Sequence, residues 1–287
     1  MRATEPLPVL GLIGESLRDV FGRLGGLARI AWAYYALAAA LVLLGLTAGR
    51  AAGETMPAGA LAAAFAVGTA EIVLSLAVLA CIVRWQRHVA LDEPLRRTAP
   101  LDGRVLLYFL RSVLLGLICS LPAAAAALLG FATGAIVRNP DGSGAPFGIG
   151  AAGITVLAGG TILGLLLFAR LNLVLPAASV GDRELGLHGS WAATRGHGLR
   201  LLAVFLLLLS GLGLLGAVAG MLEALVGAVA DATAGPDVAG APSAAPLVAG
   251  AVLDAALDLL AAVVGASATA RIYLRLAPGP PAPAGAA

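Results

Sequence analysis

Apolar and polar positions alternate along this chain as long hydrophobic runs divided by shorter polar connections. Six runs stand near residues 28–48, 59–83, 105–130, 150–174, 200–228 and 247–270. As helices rising 1.5 Å per residue, each is long enough to cross about 30 Å of hydrocarbon. Before the first run, Val9, Leu12, Ile13, Leu17, Val20, Phe21 and Leu24 recur at helical spacings, with Glu15, Arg18, Asp19 and Arg23 between them. That spacing predicts an amphipathic helix over 8–25 lying on a membrane surface. Its acids and the late start of the apolar run do not fit a cleaved leader. The pattern therefore predicts an all-α integral membrane bundle of six transmembrane helices in one domain over 1–278. The Pro/Gly-rich tail over 279–287 is expected to be disordered.

The connections carry the orientation. Segments 49–58, 138–149 and 229–246 are rich in Gly, Pro and Ala, whereas 84–104 and 171–199 are basic. One side collects 15 Arg residues and the other only Arg50 and Arg138, which places both termini in the cytoplasm. Trp32, Trp85, Trp191, Tyr34, Tyr35, Tyr108 and Tyr273 fall on or near that same side. Similar junctions close spans two, four and six, as VRWQRHVAL from Val83, ARLNLVLPA from Ala169 and ARIYLRLAP from Ala270. They suggest tandem helical hairpins of one topology, and not an inverted repeat.

Composition sharpens the class. The chain of 287 residues is 60% hydrophobic and 12% charged, with a mean hydropathy of +0.97, far outside the soluble range. A net charge of +2 gives no footprint for nucleic acid. All 18 basic residues are Arg, which fits a GC-rich bacterial genome and hence an inner membrane. Cys81 and Cys119 lie inside apolar runs, which makes them small buried side chains and not a disulfide or metal pair.

Charges within the spans are the candidates for chemistry. Glu71 lies 13 residues before Arg84 and Asp258 lies 13 before Arg271, about 20 Å from the basic interface. Asp254 stands one turn from Asp258 on the same face. Facing the bundle interior, these three carboxyls would share protons or bind a cation, or else stay protonated and hydrogen-bond between helices. Arg111 lies about 10 Å deep, within snorkelling reach of headgroups. Arg84, Arg111 and Arg170 either anchor their helices or hold a phosphate headgroup between them. No HExxH, G-x-S-x-G, Walker A or Cys/His spacing occurs, and no cofactor or metal is expected. The GASA from Gly265 resembles an intramembrane serine protease motif, but His88, His188 and His197 all fall in connections, away from Ser267.

Residues 170–202 interrupt the apolar pattern most sharply. Pro176 should end or kink span four. Asp182 can cap a short helix carrying Leu185, His188 and Trp191 on one side, and Gly196 can end it beside Arg195. An interfacial helix over 177–196 follows, with Trp191 and Arg195 in the headgroup layer. Leu175–Ala177, Gly181, Ser190-Trp191, Thr194-Arg195-Gly196 and Arg200-Leu201-Leu202 resemble a pattern in bacterial polytopic membrane proteins. These are the membrane domain of some glycerophosphoryl diester phosphodiesterases and its uncharacterised stand-alone relatives. In the enzymes, the resemblance implies, catalysis belongs to a separate soluble barrel, and no stretch here is long enough to hold one.

The expected role is thus a non-enzymatic inner-membrane protein that organises lipids or partner proteins, with anionic headgroups as ligands of its basic face. The alternative is a small-solute or proton-coupled transporter working through Glu71, Asp254 and Asp258. Infrared difference spectra of the parent and Glu71→Gln would separate these readings, since a carboxyl silent through neutral pH defeats a proton relay. A band that titrates there would support a proton relay.

Overall fold

A computed structural model of the chain describes residues 7–32, 34, 36, 40, 57–95, 102–138, 147–233 and 244–277. Helix α1 is Val9–Phe21, α2 Pro57–Leu91, α3 Gly103–Ala132, α4 Ala151–Leu171, α5 Val174–Val180, α6 Leu187–Ala193, α7 Gly198–Thr233 and α8 Ala244–Leu276. Residues 24–32 are also helical. Between α3 and α4, β1 Ile136–Arg138 and β2 Phe147–Ile149 form an antiparallel hairpin, with Ile136 opposite Ile149. The fold is otherwise all-helical, as expected, and this small hairpin stands where a plain connection was expected.

Among the described residues, four helical stretches are long and apolar enough to cross a membrane: Gly103–Ala132, Ala151–Val180, Gly198–Leu222 and Ala255–Leu276. Their mean hydropathies are 2.2, 2.1, 2.6 and 1.5. Helix α2 falls where the second span is expected. Most of the first, 28–48, lies outside the described residues, as does the tail 279–287. Large apolar side chains point outward along these helices, among them Leu110, Leu117, Leu128, Ile162, Leu214 and Met221. An outer surface of this kind suits lipid and not water. The chain is a multi-pass membrane protein.

The long helices contact one another in a closed order, α2 to α8, α8 to α7, α7 to α4, α4 to α3, and α3 back to α2. Helix α5 touches α2, α3 and α8, and all seven of its residues are buried. It joins the two cores of the bundle. Ala177 and Val180 pack with Trp85, Leu259 and Tyr273, while Val174, Leu175 and Ala178 pack with Val83, Tyr108 and Leu115. Between α2 and α8 the Trp85 indole donates to Ser267 Oγ at 2.6 Å, and Gln86 Nε2 to Thr269 Oγ1 at 3.0 Å. Ser267 is therefore a buried packing hydroxyl, bonded to an indole.

Helix α1 lies against α8 and α7. It buries Leu12, Ser16 and Val20 and leaves Leu10, Leu17 and Phe21 exposed. Its acids face α8: Arg271 makes a two-pronged pair with Asp19 at 2.9 and 2.7 Å, and Arg275 reaches Glu15 at 2.7 and 2.9 Å. The predicted surface helix is thus docked on the bundle along one face. The exposed Arg275–Glu15 pair contributes about 1 kcal/mol or less, the Arg271–Asp19 pair is part-buried, and the buried apolar face adds to both.

Helices α3 and α4 pack closely and antiparallel. A Cβ on Gly164 would collide with the Cys119 carbonyl oxygen, and one on Gly160 would stand 2.7 Å from the Pro122 oxygen. At the hairpin end, one on Gly153 would stand 2.6 Å from the Ala135 oxygen. Small residues let the backbones approach without a side chain between them. GxxxG spacings, which can mark such close contacts, stand elsewhere in the chain, at Gly45/Gly49, Gly130/Gly134 and Gly216/Gly220. Gly45 and Gly49 lie outside the described residues, and Gly130 packs on Ile136 of the hairpin. Gly216 and Gly220 face open space, because α7 at that level runs along the outside of the bundle. Gly164→Ala should destabilise the protein by about 1–3 kcal/mol. Gly159→Ala, with nothing within 4 Å of the added methyl, should be neutral or better. Unfolding in detergent would check the contrast, and equal effects would contradict the close packing.

Candidate functional site

The site is built on the stretch that leads from α4 through α5 and α6 into α7. Pro176 has no N–H to offer the Asn172 carbonyl four residues back. The Leu175 N–H reaches that carbonyl instead, at 3.1 Å, and tightens the junction into a three-residue turn. The Arg170 carbonyl, left open at the break, finds side-chain donors. Ser190 Oγ donates to the Arg170 oxygen at 2.7 Å, and Thr194 Oγ1 lies 3.2 Å from the same atom. Arg111 Nη1 donates to the Val174 oxygen at 3.0 Å.

Gly181, with φ +84°, closes α5 in the left-handed region that favours glycine. Asp182 then accepts from the Glu184 and Leu185 N–H groups at 2.9 and 3.2 Å and from the Tyr273 hydroxyl at 2.9 Å. It fastens the loop to α8 and does not cap α6, which begins five residues later at Leu187 behind Gly186. The single interfacial helix expected over 177–196 is in fact two helices of different character. Helix α5 is buried in the bundle because its residues are small or aliphatic throughout, and only α6 reaches the surface. Leu185 is buried before α6 starts while His188 is exposed, so they share no apolar side. Gly196 has φ +84° and turns the chain into α7, as expected.

Where α6 meets α4 and α7, a surface groove of ≈640 Å³ opens. The Arg170 guanidinium lies over the Trp191 ring, 4.1 Å from its centroid, a contact worth about 0.5–2 kcal/mol. Arg195 and Arg200 line the same groove, with Leu163, Leu166 and Leu167 of α4 along its other wall. His197 also lines it, and its Nδ1 is buried without a hydrogen-bond partner. Such an arrangement can hold an anion against guanidinium groups while an apolar chain lies on leucines.

Arg170, Trp191 and Arg195 are thus brought together, but the proposed trio of Arg84, Arg111 and Arg170 is not. Arg84 lines a separate cavity of ≈370 Å³ with Arg87, Glu93, Asp102 and Arg104. Arg111 is engaged by the α5 backbone. The three were grouped by depth alone, and depth does not say which side of the bundle an arginine occupies. In the second cavity Arg87 pairs with Glu93 and donates to the Ser179 oxygen at 3.0 Å.

The carboxylates fare differently. Asp258 is exposed, because the interior stripe of α8 is taken by Ala255, Leu259, Val263 and Ala266. It therefore does not face the bundle interior as expected. The side chains of Glu71, Asp254 and Glu223 lie outside the described residues. Sequence spacing missed Arg200 and His197 as groove residues. The available signal was Gly196 and Gly198 around His197, which fold Arg200 back toward Arg170: a Cβ on Gly198 would stand 3.1 Å from Arg170 Nε.

Comparison with protein-family models, curated proteins and solved structures gives no match. The site therefore stands on its own geometry. Removing the buried Ser190 hydroxyl leaves the Arg170 carbonyl short of a donor, so Ser190→Ala should cost about 1–3 kcal/mol of stability. Ser120→Ala, which removes an exposed hydroxyl bonded only to its own helix at 2.9 Å, should cost far less. Denaturation of both variants in one detergent tests the elbow, and equal losses would count against it.

Proposed function

We propose that this chain is a non-enzymatic protein of a bacterial inner membrane, with six spans and both termini in the cytoplasm. Its arginine-rich end engages anionic headgroups of the surrounding bilayer and so organises lipids or partner proteins there. The observation that carries this reading is the set of exposed arginines Arg104, Arg183, Arg195 and Arg200 around α5 and α6. None of them belongs to the ion pairs Arg87–Glu93, Arg271–Asp19 and Arg275–Glu15. Guanidinium groups at a membrane surface attract anionic lipid, each worth about 1 kcal/mol there. The exposed apolar side of α1, with Leu10, Leu17 and Phe21, adds a strip that can rest in the acyl boundary.

The similarity of Leu175–Leu202 to the membrane domain of glycerophosphoryl diester phosphodiesterases belongs to the same proposal. It bears on architecture, because the matched residues act on the backbone and its packing. They break α4, close α5, hold the Arg170 carbonyl and seat the start of α7. The transporter alternative draws no support from Asp258, which is exposed.

Anionic lipid that binds the folded protein raises its stability, by about 2.7 kcal/mol at a hundredfold excess over Kd. Phosphatidylglycerol should therefore raise the melting temperature in detergent clearly more than phosphatidylcholine does, and 0.5 M salt should shrink the difference. Equal shifts from the two lipids would sink the proposal. Proton or solute flux into vesicles that vanishes in Glu71→Gln would replace it with transport.

A further inference from the structure

Resting on that reading, we propose that the groove between α4, α6 and the start of α7 is a discrete site for one anionic phospholipid. The phosphate would sit among Arg170, Arg195 and Arg200, and the first part of an acyl chain would lie along Leu163, Leu166 and Leu167. Charge is the first argument. Among the described residues, three arginines and no carboxylate line this groove, whereas the separate cavity sets Arg84, Arg87 and Arg104 against Glu93 and Asp102. The described lining of the groove thus offers no internal counter-ion, and a phosphate oxygen is a strong acceptor for guanidinium donors.

Order is the second argument. Arg170 is held over the Trp191 ring at 4.1 Å, and its own carbonyl is bonded by Ser190 at 2.7 Å. Gly198 leaves room for its Nε where a Cβ would come to 3.1 Å. A guanidinium fixed in this way loses little freedom on binding. The first turn of α7 opens at the same place: the Leu201 N–H bonds the His197 carbonyl at 2.9 Å, and the N–H groups before it have no acceptor within the helix. With the helix dipole they add a positive rim beside the three arginines. The partnerless Nδ1 of His197 lies in the same wall.

Shape is the third. The ≈640 Å³ of the groove falls within the range of about 300–1,000 Å³ usual for ligand sites. Leu163, Leu166 and Leu167 lie at helical spacing on α4 and lead from the arginines toward the apolar middle of that helix. A free phosphate would use the rim alone, while a phospholipid uses rim and wall together.

Native mass spectrometry of the delipidated full chain, with phosphatidylglycerol added, tests this. One tightly held adduct is expected, with phosphatidylcholine bound more weakly. Arg195→Gln with Arg200→Gln, both at exposed positions and so safe for folding, should weaken that adduct about tenfold or more, as loss of charged hydrogen bonds implies. Arg23→Gln, exposed beyond the end of α1 and outside the groove, should leave it unchanged. If the groove variant binds as the parent does, or Arg23→Gln weakens binding equally, the discrete site is wrong while a diffuse basic surface stands. If inorganic phosphate or glycerol phosphate displaces the lipid at comparable concentration, the site belongs to a soluble anion. If phosphatidylglycerol and phosphatidylcholine bind alike, both this assignment and the headgroup reading fail.

Discussion

Pro176 carries no N–H, and that missing donor sits where α4 gives way to α5 in the middle of the helical ring. In an apolar surrounding every backbone carbonyl needs a donor, so a broken turn persists only where side chains supply one. Here the Leu175 N–H and Ser190 do so. The other features of the basic end depend on this repair. Helix α5 sinks between α2, α3 and α8, and α6 is drawn back against α4. The start of α7 then lies beside Arg170.

Polar bonding inside the bundle follows the same logic elsewhere. Trp85 and Gln86 on α2 bond Ser267 and Thr269 on α8, which removes four polar groups from the apolar interior and fixes the register of the two helices. Association here cannot rely on hiding apolar surface from water, because lipid already accepts it. Close backbone contact does the remaining work, as at Gly160 and Gly164 against α3. The outward faces of α3, α4 and α7 are free to be aliphatic and carry little specificity.

Four of the expected spans fall on helices long and apolar enough to cross a membrane, with limits that differ by a residue or two up to about two turns, because length and hydropathy are local properties that a bilayer imposes on any helix. The elbow was legible in outline for a related reason: Pro176, Gly181 and Gly196 act on the backbone wherever they stand. Where depth along a helix was the only guide, the expectations diverged from the structure. Asp258 was expected inside and is exposed, and Arg84 and Arg170 were grouped and lie in different cavities. Depth sets distance from the interface but leaves the angle around the helix open, and a single charged residue carries no periodicity from which to read that angle.

The sequence by itself determined the class of protein, the placing of its long apolar helices and the point where one of them breaks. These follow from hydrogen-bonding and transfer free energies that act residue by residue. Only the tertiary structure decided that α5 is buried and not interfacial, and that Arg170, Arg195 and Arg200 converge on one groove beside Trp191. Convergence depends on how far each helix is rotated and on where α6 folds back. Those are set by the Ser190 bond, the Gly198 clearance and the packing of two cores on α5, none of which is a property of a single run of residues.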